Sequence, residues 1–184
     1  MIKKGGRLGR IAEVVNMQTI YIPIGLPGCG KSTFFETRLK GKGIIKISAD
    51  EIRFRKLDSE NSHLYFDASI EKEVWEEYYN TLNIYLKHDA SVYCDCTNLT
   101  LAKRMKIYES IIQNDCIVKI VYLFFEIHAQ ECWDNQKNRD RKVDLSILTE
   151  MDSILESINR IEENLFKSKL ITIYSLDQIK TLQL

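Results

Sequence analysis

Neither charge sign is in excess in this 184-residue sequence: Lys plus Arg and Asp plus Glu both number 26, a formal net charge of zero. No global field draws the protein toward nucleic acid or a membrane surface, so any contact with a polyanion has to be local. The five cysteines, Cys29, Cys94, Cys96, Cys116 and Cys132, form no C-x-x-C pair and no metal-ligand spacing. That argues against a zinc site, and Cys94 and Cys96 read more simply as core residues at a strand end. No secretory core segment is present and no apolar run is long enough to span a bilayer, so the expectation is a reduced, cytoplasmic protein that engages no membrane. Two further absences concern nucleotide chemistry. There is no N-K-x-D guanine-reading motif, and no apolar strand closes on Asp-Glu, since Asp95 is followed by Cys96. The first argues against a guanine-nucleotide switch. The second leaves no evident water-activating glutamate of the usual ATPases. With no repeat, low-complexity segment or linker, the chain reads as one α/β domain over 18–184 after a loose basic arm over 1–17.

What is there is a phosphate-binding loop. The run from Gln18 to Thr33 begins as an apolar strand, breaks at Gly25-Leu26-Pro27-Gly28-Cys29-Gly30 and closes on Lys31-Ser32-Thr33. Gly25, four residues, then Gly30, Lys31 and Ser32 fit the template G-x-x-x-x-G-K-[S/T], in its required setting of strand before and helix after. Backbone N–H groups of Gly28, Cys29, Gly30 and Thr33, at a turn that opens a helix, suit an anion. The template sends Lys31 to the β- and γ-phosphates of ATP and the Ser32 hydroxyl to the accompanying Mg²⁺.

The rest of the chain has a βαβ rhythm. A first helix is expected over 31–39, ended by Gly41-Lys42-Gly43, and a strand over 44–48 that stops at Ser48-Ala49-Asp50-Glu51-Ile52-Arg53. Ile70, Val74, Tyr78, Leu82 and Leu86 recur every four residues, the period of an amphipathic helix over 68–88. Its Trp75 and Tyr79 read as core residues, with base stacking as the alternative. A strand over 91–95 closes on Asp95-Cys96-Thr97-Asn98, a helix runs over 100–113, and the apolar run 117–125 suits burial on both faces. A helix near 128–137 precedes the charged cluster Asn138-Arg139-Asp140-Arg141-Lys142, which is either a solvated loop or a lid. Ile147, Met151, Ile154, Ile158 and Ile161 predict the core stripe of one long helix, and the last strand is expected over 170–174. The resulting fold class is a P-loop kinase-like parallel sheet of about five strands, with helices on both faces and a short Arg-containing lid.

Acids at two successive strand tips and a later arginine cluster suit phosphoryl transfer. The acceptor hydroxyl must lose its proton while Mg²⁺, Lys and Arg neutralise the migrating group. Asp50 suits the base, unless it merely caps the following helix; an arginine at 139 or 141 suits the lid.

The ordered set G-L-P-G-C-G-K-S-T, S-A-D-E-I-R, D-C-T-N-L-T and N-R-D-R-K-V, spanning about 19–151, resembles the kinase domain of bacteriophage and bacterial polynucleotide 5′-kinases. The resemblance implies ATP-dependent phosphorylation of 5′-hydroxyl ends of DNA or RNA in end repair. It makes Asp50 the general base and Arg53 the partner of the acceptor's 3′ phosphate. Asp95, Thr97 and Asn98 line the acceptor pocket, and Arg139, with Arg141 beside it, lies over the γ-phosphate. The sequence departs from the family in having Asn135 and Asp144 where bacterial members often carry arginine and proline, and in lacking a D-x-D-G-T phosphatase signature. Two other readings stay open: a P-loop kinase of another acceptor, whether a small molecule or a hydroxymethylated base in phage DNA, and a non-catalytic ATP-binding module.

Overall fold

Gln18–Ile24 forms β1, the middle of a five-stranded parallel sheet ordered β2-β3-β1-β4-β5, with β2 at Ile44–Ser48, β3 at Ser91–Asp95, β4 at Val118–Phe125 and β5 at Lys167–Ile173. The computed structural model describes residues 17–57, 68–139 and 142–182. Most of the basic arm and Arg141 lie outside them. Helices α1 (Lys31–Phe34), α2 (Ala49–Lys56), α3 (Glu71–Lys87), α4 (Leu101–Gln113), α5 (Ala129–Asp134), α6 (Leu145–Ser153), α7 (Arg160–Leu165) and α8 (Leu176–Thr181) connect or follow the strands.

The apolar runs explain the layers. On β4, Val118, Ile120 and Tyr122 face one helical layer and Val121, Leu123 and Phe125 the other. That two-sided burial is what an unbroken apolar parallel strand signals. The first layer is α2, α3 and α4, where Val74, Tyr78, Leu82 and Leu86 bury the four-residue stripe of α3 as its spacing predicts. The second is α1, α5, α6 and α8, through Phe34, Cys132, Leu148 and Ile179. Neighbouring strands β1 and β3 thus feed helices on opposite faces. Their carboxyl ends flank the crevice where an open α/β sheet binds ligands.

Two segments differ from the sequence reading. The first helix is α-helical only to Phe34 and continues as a π-helical turn over Phe35–Leu39. The expected long helix after residue 145 is two short ones, and its stripe is not a core stripe: Ile147, Ile154 and Ile161 are exposed, Ile161 by 71%. Arg104 is the cause. Fully buried, it donates to Glu162 through Nε (2.7 Å) and Nη2 (2.9 Å) and to the carbonyls of Glu156 (3.2 Å) and Ser157 (3.4 Å). Residues 154–159 are thereby drawn out of helical pairing, and Asn159 restarts the chain as α7 through a capping box with Glu162. Burial alone would raise the Glu162 carboxyl, but Arg104 and the Tyr108 hydroxyl (2.7 Å) hold it below the usual carboxylate range. The last strand also begins earlier than expected, at Lys167, and α8 follows it.

Candidate active site

The loop after β1 is shaped by close backbone approaches. Gly28 has φ 89°, and a Cβ there would lie 2.3 Å from the Cys132 carbonyl oxygen on α5; Gly30 has φ 100° and would collide with Leu176 at 2.5 Å. Only glycine meets both demands. Lys31 opens α1 and is almost wholly buried. Its Nζ donates to the carbonyls of Gly25 (2.8 Å) and Leu26 (2.7 Å), with the Cys29 thiol 3.6 Å away. Among the described residues no carboxylate pairs with this ammonium. A buried cation held by neutral carbonyls, beside the unpaired first-turn N–H groups of a helix, is the donor set a phosphate satisfies. Ser32 and Thr33 are exposed on α1, and Ser32 lines the cleft, whereas the Cys29 side chain is buried behind the loop.

The cleft measures about 820 Å³ and gathers most of the expected residues: Gly28, Gly30, Lys31, Ser32, Asp50, Arg53, Asp95, Thr97, Asn98 and Arg139. Ser48 ends β2 and caps α2, its hydroxyl accepting from the Glu51 N–H at 3.3 Å. Asp50, in the first turn of α2, is therefore not the cap. Its side chain is 62% exposed and pairs with Arg53 one turn on. Arg53 is buried and also bridges to Glu71 of α3, Nε to Oε1 at 2.5 Å and Nη2 to Oε2 at 3.2 Å. Any anion bound at Arg53 would therefore share the guanidinium with two carboxylates.

Asp95 stands at the tip of β3, next to the loop. Burial raises its carboxyl from 3.8 to about 6; Lys31 and Lys46 pull it down, and Asp50 and Glu51 push it up. Thr97 and Asn98 tie this tip to the P-loop. The Thr97 carbonyl accepts from Gly25 N–H at 3.1 Å, and the buried Asn98, at φ 49°, donates through Nδ2 to the carbonyls of Pro23 (2.7 Å) and Cys94 (3.2 Å). The Asn98 amide is thus a clamp across the ends of β1 and β3. Arg104 extends the clamp, donating from Nη1 to the Asn98 carbonyl at 3.0 Å.

The residues flanking the charged cluster at 138–142 are held by hydrogen bonds. Asn135 Nδ2 donates to the Gly28 carbonyl at 3.2 Å, while buried Gln136 accepts from Val143 N–H at 3.0 Å and so joins the two ends of the cluster. Arg139 is exposed at the cleft rim. Sequence reasoning did not single out Glu71, Gln136, Lys46 or Arg104: Glu71, Lys46 and Arg104 act on partners distant in sequence, and Gln136 bonds across the charged cluster to Val143, for which no motif exists. Among the described residues no group of three His, Cys, Asp or Glu side chains is set to hold a metal. The Ser32 hydroxyl, on the cleft lining at the start of α1, is a ligand that a Mg²⁺ carried in by phosphate oxygens could take. No helix among them is long and apolar enough to cross a membrane.

Residues 20–158 match the family described as an AAA domain. The chain belongs to that family. No curated protein matches the sequence. Among solved structures, this AAA domain is similar to a chain of the Pnkp1/Rnl/Hen1 RNA repair complex, at TM-score 0.65 and 16% identity, over 84% of this chain and 48% of that one. A gluconokinase from Sinorhizobium meliloti 1021 gives TM-score 0.56 at 16% identity, over 89% and 87% of the two chains. A fungal RNA kinase gives TM-score 0.57 at 20% identity, over 86% and 38%. The chain spans about half the length of the RNA repair chains it resembles. At these identities the likeness is one of fold, and the fold is that of P-loop kinases.

Proposed function

We propose that the protein is an ATP-dependent polynucleotide kinase, cytoplasmic, that transfers the γ-phosphate to a 5′-hydroxyl end of DNA or RNA. The observation that carries this reading is the Asp50–Arg53 pair, which shares one cleft with Lys31 and Ser32 yet belongs to a different strand end from the loop that cradles phosphate. A pure nucleotide-binding module has no need of that pair. The order of the four motifs supports a nucleic-acid acceptor, and two of the similar structures are described as an RNA repair complex and an RNA kinase.

Lys31 and the first-turn N–H groups would hold the phosphates of ATP, and Ser32 would ligate Mg²⁺. Bound there, Mg²⁺ supplies charge neutralisation at the phosphate oxygens. Asp50 accepts the proton of the acceptor hydroxyl as its oxygen bonds to the γ-phosphorus. The bond from that phosphorus to the bridging oxygen breaks, and ADP carries the electron pair away. Arg53 orients the acceptor; Arg139 at the rim meets the charge of the migrating group.

A second reading, a small-molecule kinase, is favoured by the gluconokinase match, which covers nearly all of both chains. Labelled ATP offered with a 5′-hydroxyl oligonucleotide of DNA, one of RNA, free nucleosides and gluconate separates the two. Label on the oligonucleotides at a rate above the small molecules is the expected result; label on gluconate or a nucleoside alone overturns the proposal.

A further inference from the structure

Part of the cleft lining is aromatic. Trp75 and Tyr79 of α3 both line it, half-buried, with ring centroids 6.0 Å apart and planes inclined by 27°. The indole is fixed in direction, because its Nε1 donates to Glu71 Oε2 at 3.1 Å, and the same carboxylate holds Arg53. Asp50, Arg53, Glu71 and Trp75 thus form one hydrogen-bonded row running from the acceptor side of the cleft to the ring. Lys103, an exposed side chain of α4, places its ammonium 5.1 Å from the indole centroid. The sequence offers no hint of this cation beside the aromatics.

Resting on the kinase reading above, we propose that Trp75, flanked by Tyr79, is the platform on which the terminal base of the acceptor stacks. A flat, desolvatable π-face gives a base far more contact than it gives a polyhydroxylated sugar acid, which needs hydrogen-bonding groups instead. The ammonium marks where a ligand over the ring lies, since an exposed lysine is easily displaced by a base and remains close enough to meet the adjoining phosphate. Glu76 and Glu77, the next residues on α3, are already paired with Lys72 and with Arg55 and Lys56, so among the described residues no unpaired cation continues the platform along the helix for a second phosphate.

The test compares thymidine 3′-phosphate with its base-free counterpart, 1,2-dideoxyribose 3′-phosphate, as 5′-hydroxyl acceptors of the full chain. The wild type is expected to favour the base-bearing acceptor in kcat/KM by roughly 10- to 100-fold, the range of one base–aromatic stack. Trp75→Leu should lose that preference, its kcat/KM for thymidine 3′-phosphate dropping to near the base-free value while ATP binding stays as in the wild type. Trp75→Phe, which keeps a smaller ring in the same packing, should retain part of the preference and guards against a folding defect. Equal use of both acceptors by the wild type, or an undiminished preference in folded Trp75→Leu, overturns the platform and leaves the polynucleotide kinase standing. Failure of the wild type on both acceptors and on oligonucleotides overturns the platform and the kinase reading together.

Discussion

Asp95 offers a test that needs no substrate. Its carboxyl lies at the tip of β3 against the phosphate loop, and burial lifts it from 3.8 to about 6 despite Lys31 and Lys46. Displacement by that amount corresponds to about 3 kcal/mol of disfavoured charge at neutral pH, using 1.36 kcal/mol per pH unit. Because Asp95 keeps some contact with solvent in the cleft, about 1–3 kcal/mol is the expected effect. The sign follows from proton uptake. The folded carboxyl binds its proton more tightly than the unfolded one, so this stabilisation is complete below about pH 3.8 and is lost as pH rises through about 6. Asp95→Asn keeps the shape and removes the titration. In thermal unfolding of the ligand-free protein, the variant should therefore melt roughly 3–10 °C above wild type at pH 7.5, given ~2–4 °C per kcal/mol for a chain of this size. The gap should close as pH falls from 6 toward 4.5. Transfer activity should fall with the same substitution, the usual trade between stability and a strained site. A variant less stable than wild type at pH 7.5, or a gap independent of pH, would refute the electrostatic reasoning.

Three further substitutions probe other parts. Lys31→Ala removes the ammonium held by Gly25 and Leu26 carbonyls and should abolish transfer at saturating ATP and Mg²⁺; an unchanged rate would mean the loop does not hold the donor. Arg139→Ala should lower kcat more than it weakens ATP binding, and more than Arg141→Ala does, in single-turnover assays; near-normal rates for both would make the cluster a solvated loop. Glu162→Leu leaves the buried Arg104 charge with carbonyl partners but no carboxylate, which costs about 3–5 kcal/mol, so the melting temperature should fall by roughly 10 °C. A shift of under about 2 °C would show that the buried pair does not hold residues 154–159 in place.

The phosphate loop, the stripe of α3 and the two-sided burial of β4 were all legible, because each is written in consecutive or regularly spaced residues. The break between α6 and α7 was not. Its isoleucines keep helical spacing, and what overrides them is a guanidinium 52 residues earlier in the chain that takes the carbonyl of Glu156. Asn98 was legible as a site residue but not as a clamp, since its partners Pro23 and Cys94 sit on two other strands' ends. Asp50 illustrates the opposite case: the sequence left open whether it caps α2, and the Ser48 hydroxyl takes that place. Trp75 read as a core residue with base stacking as the alternative; it does pack against the core cluster, and what the sequence did not carry is Lys103 over its ring and Glu71 at its nitrogen.

The proposed transfer reaction turns on what Asp50 does to the acceptor. Asp50→Asn keeps the size of the side chain and a hydrogen-bonding partner for Arg53, but it cannot take a proton. Rapid-quench measurement of a single turnover on a 5′-hydroxyl oligonucleotide, with ATP·Mg²⁺ binding measured on the same preparation, tests the claim directly. The prediction is near-normal ATP binding with transfer slowed by roughly a hundredfold or more, the weight of general base catalysis. Full transfer activity in the Asn variant, or a collapse of ATP binding along with transfer, would contradict it.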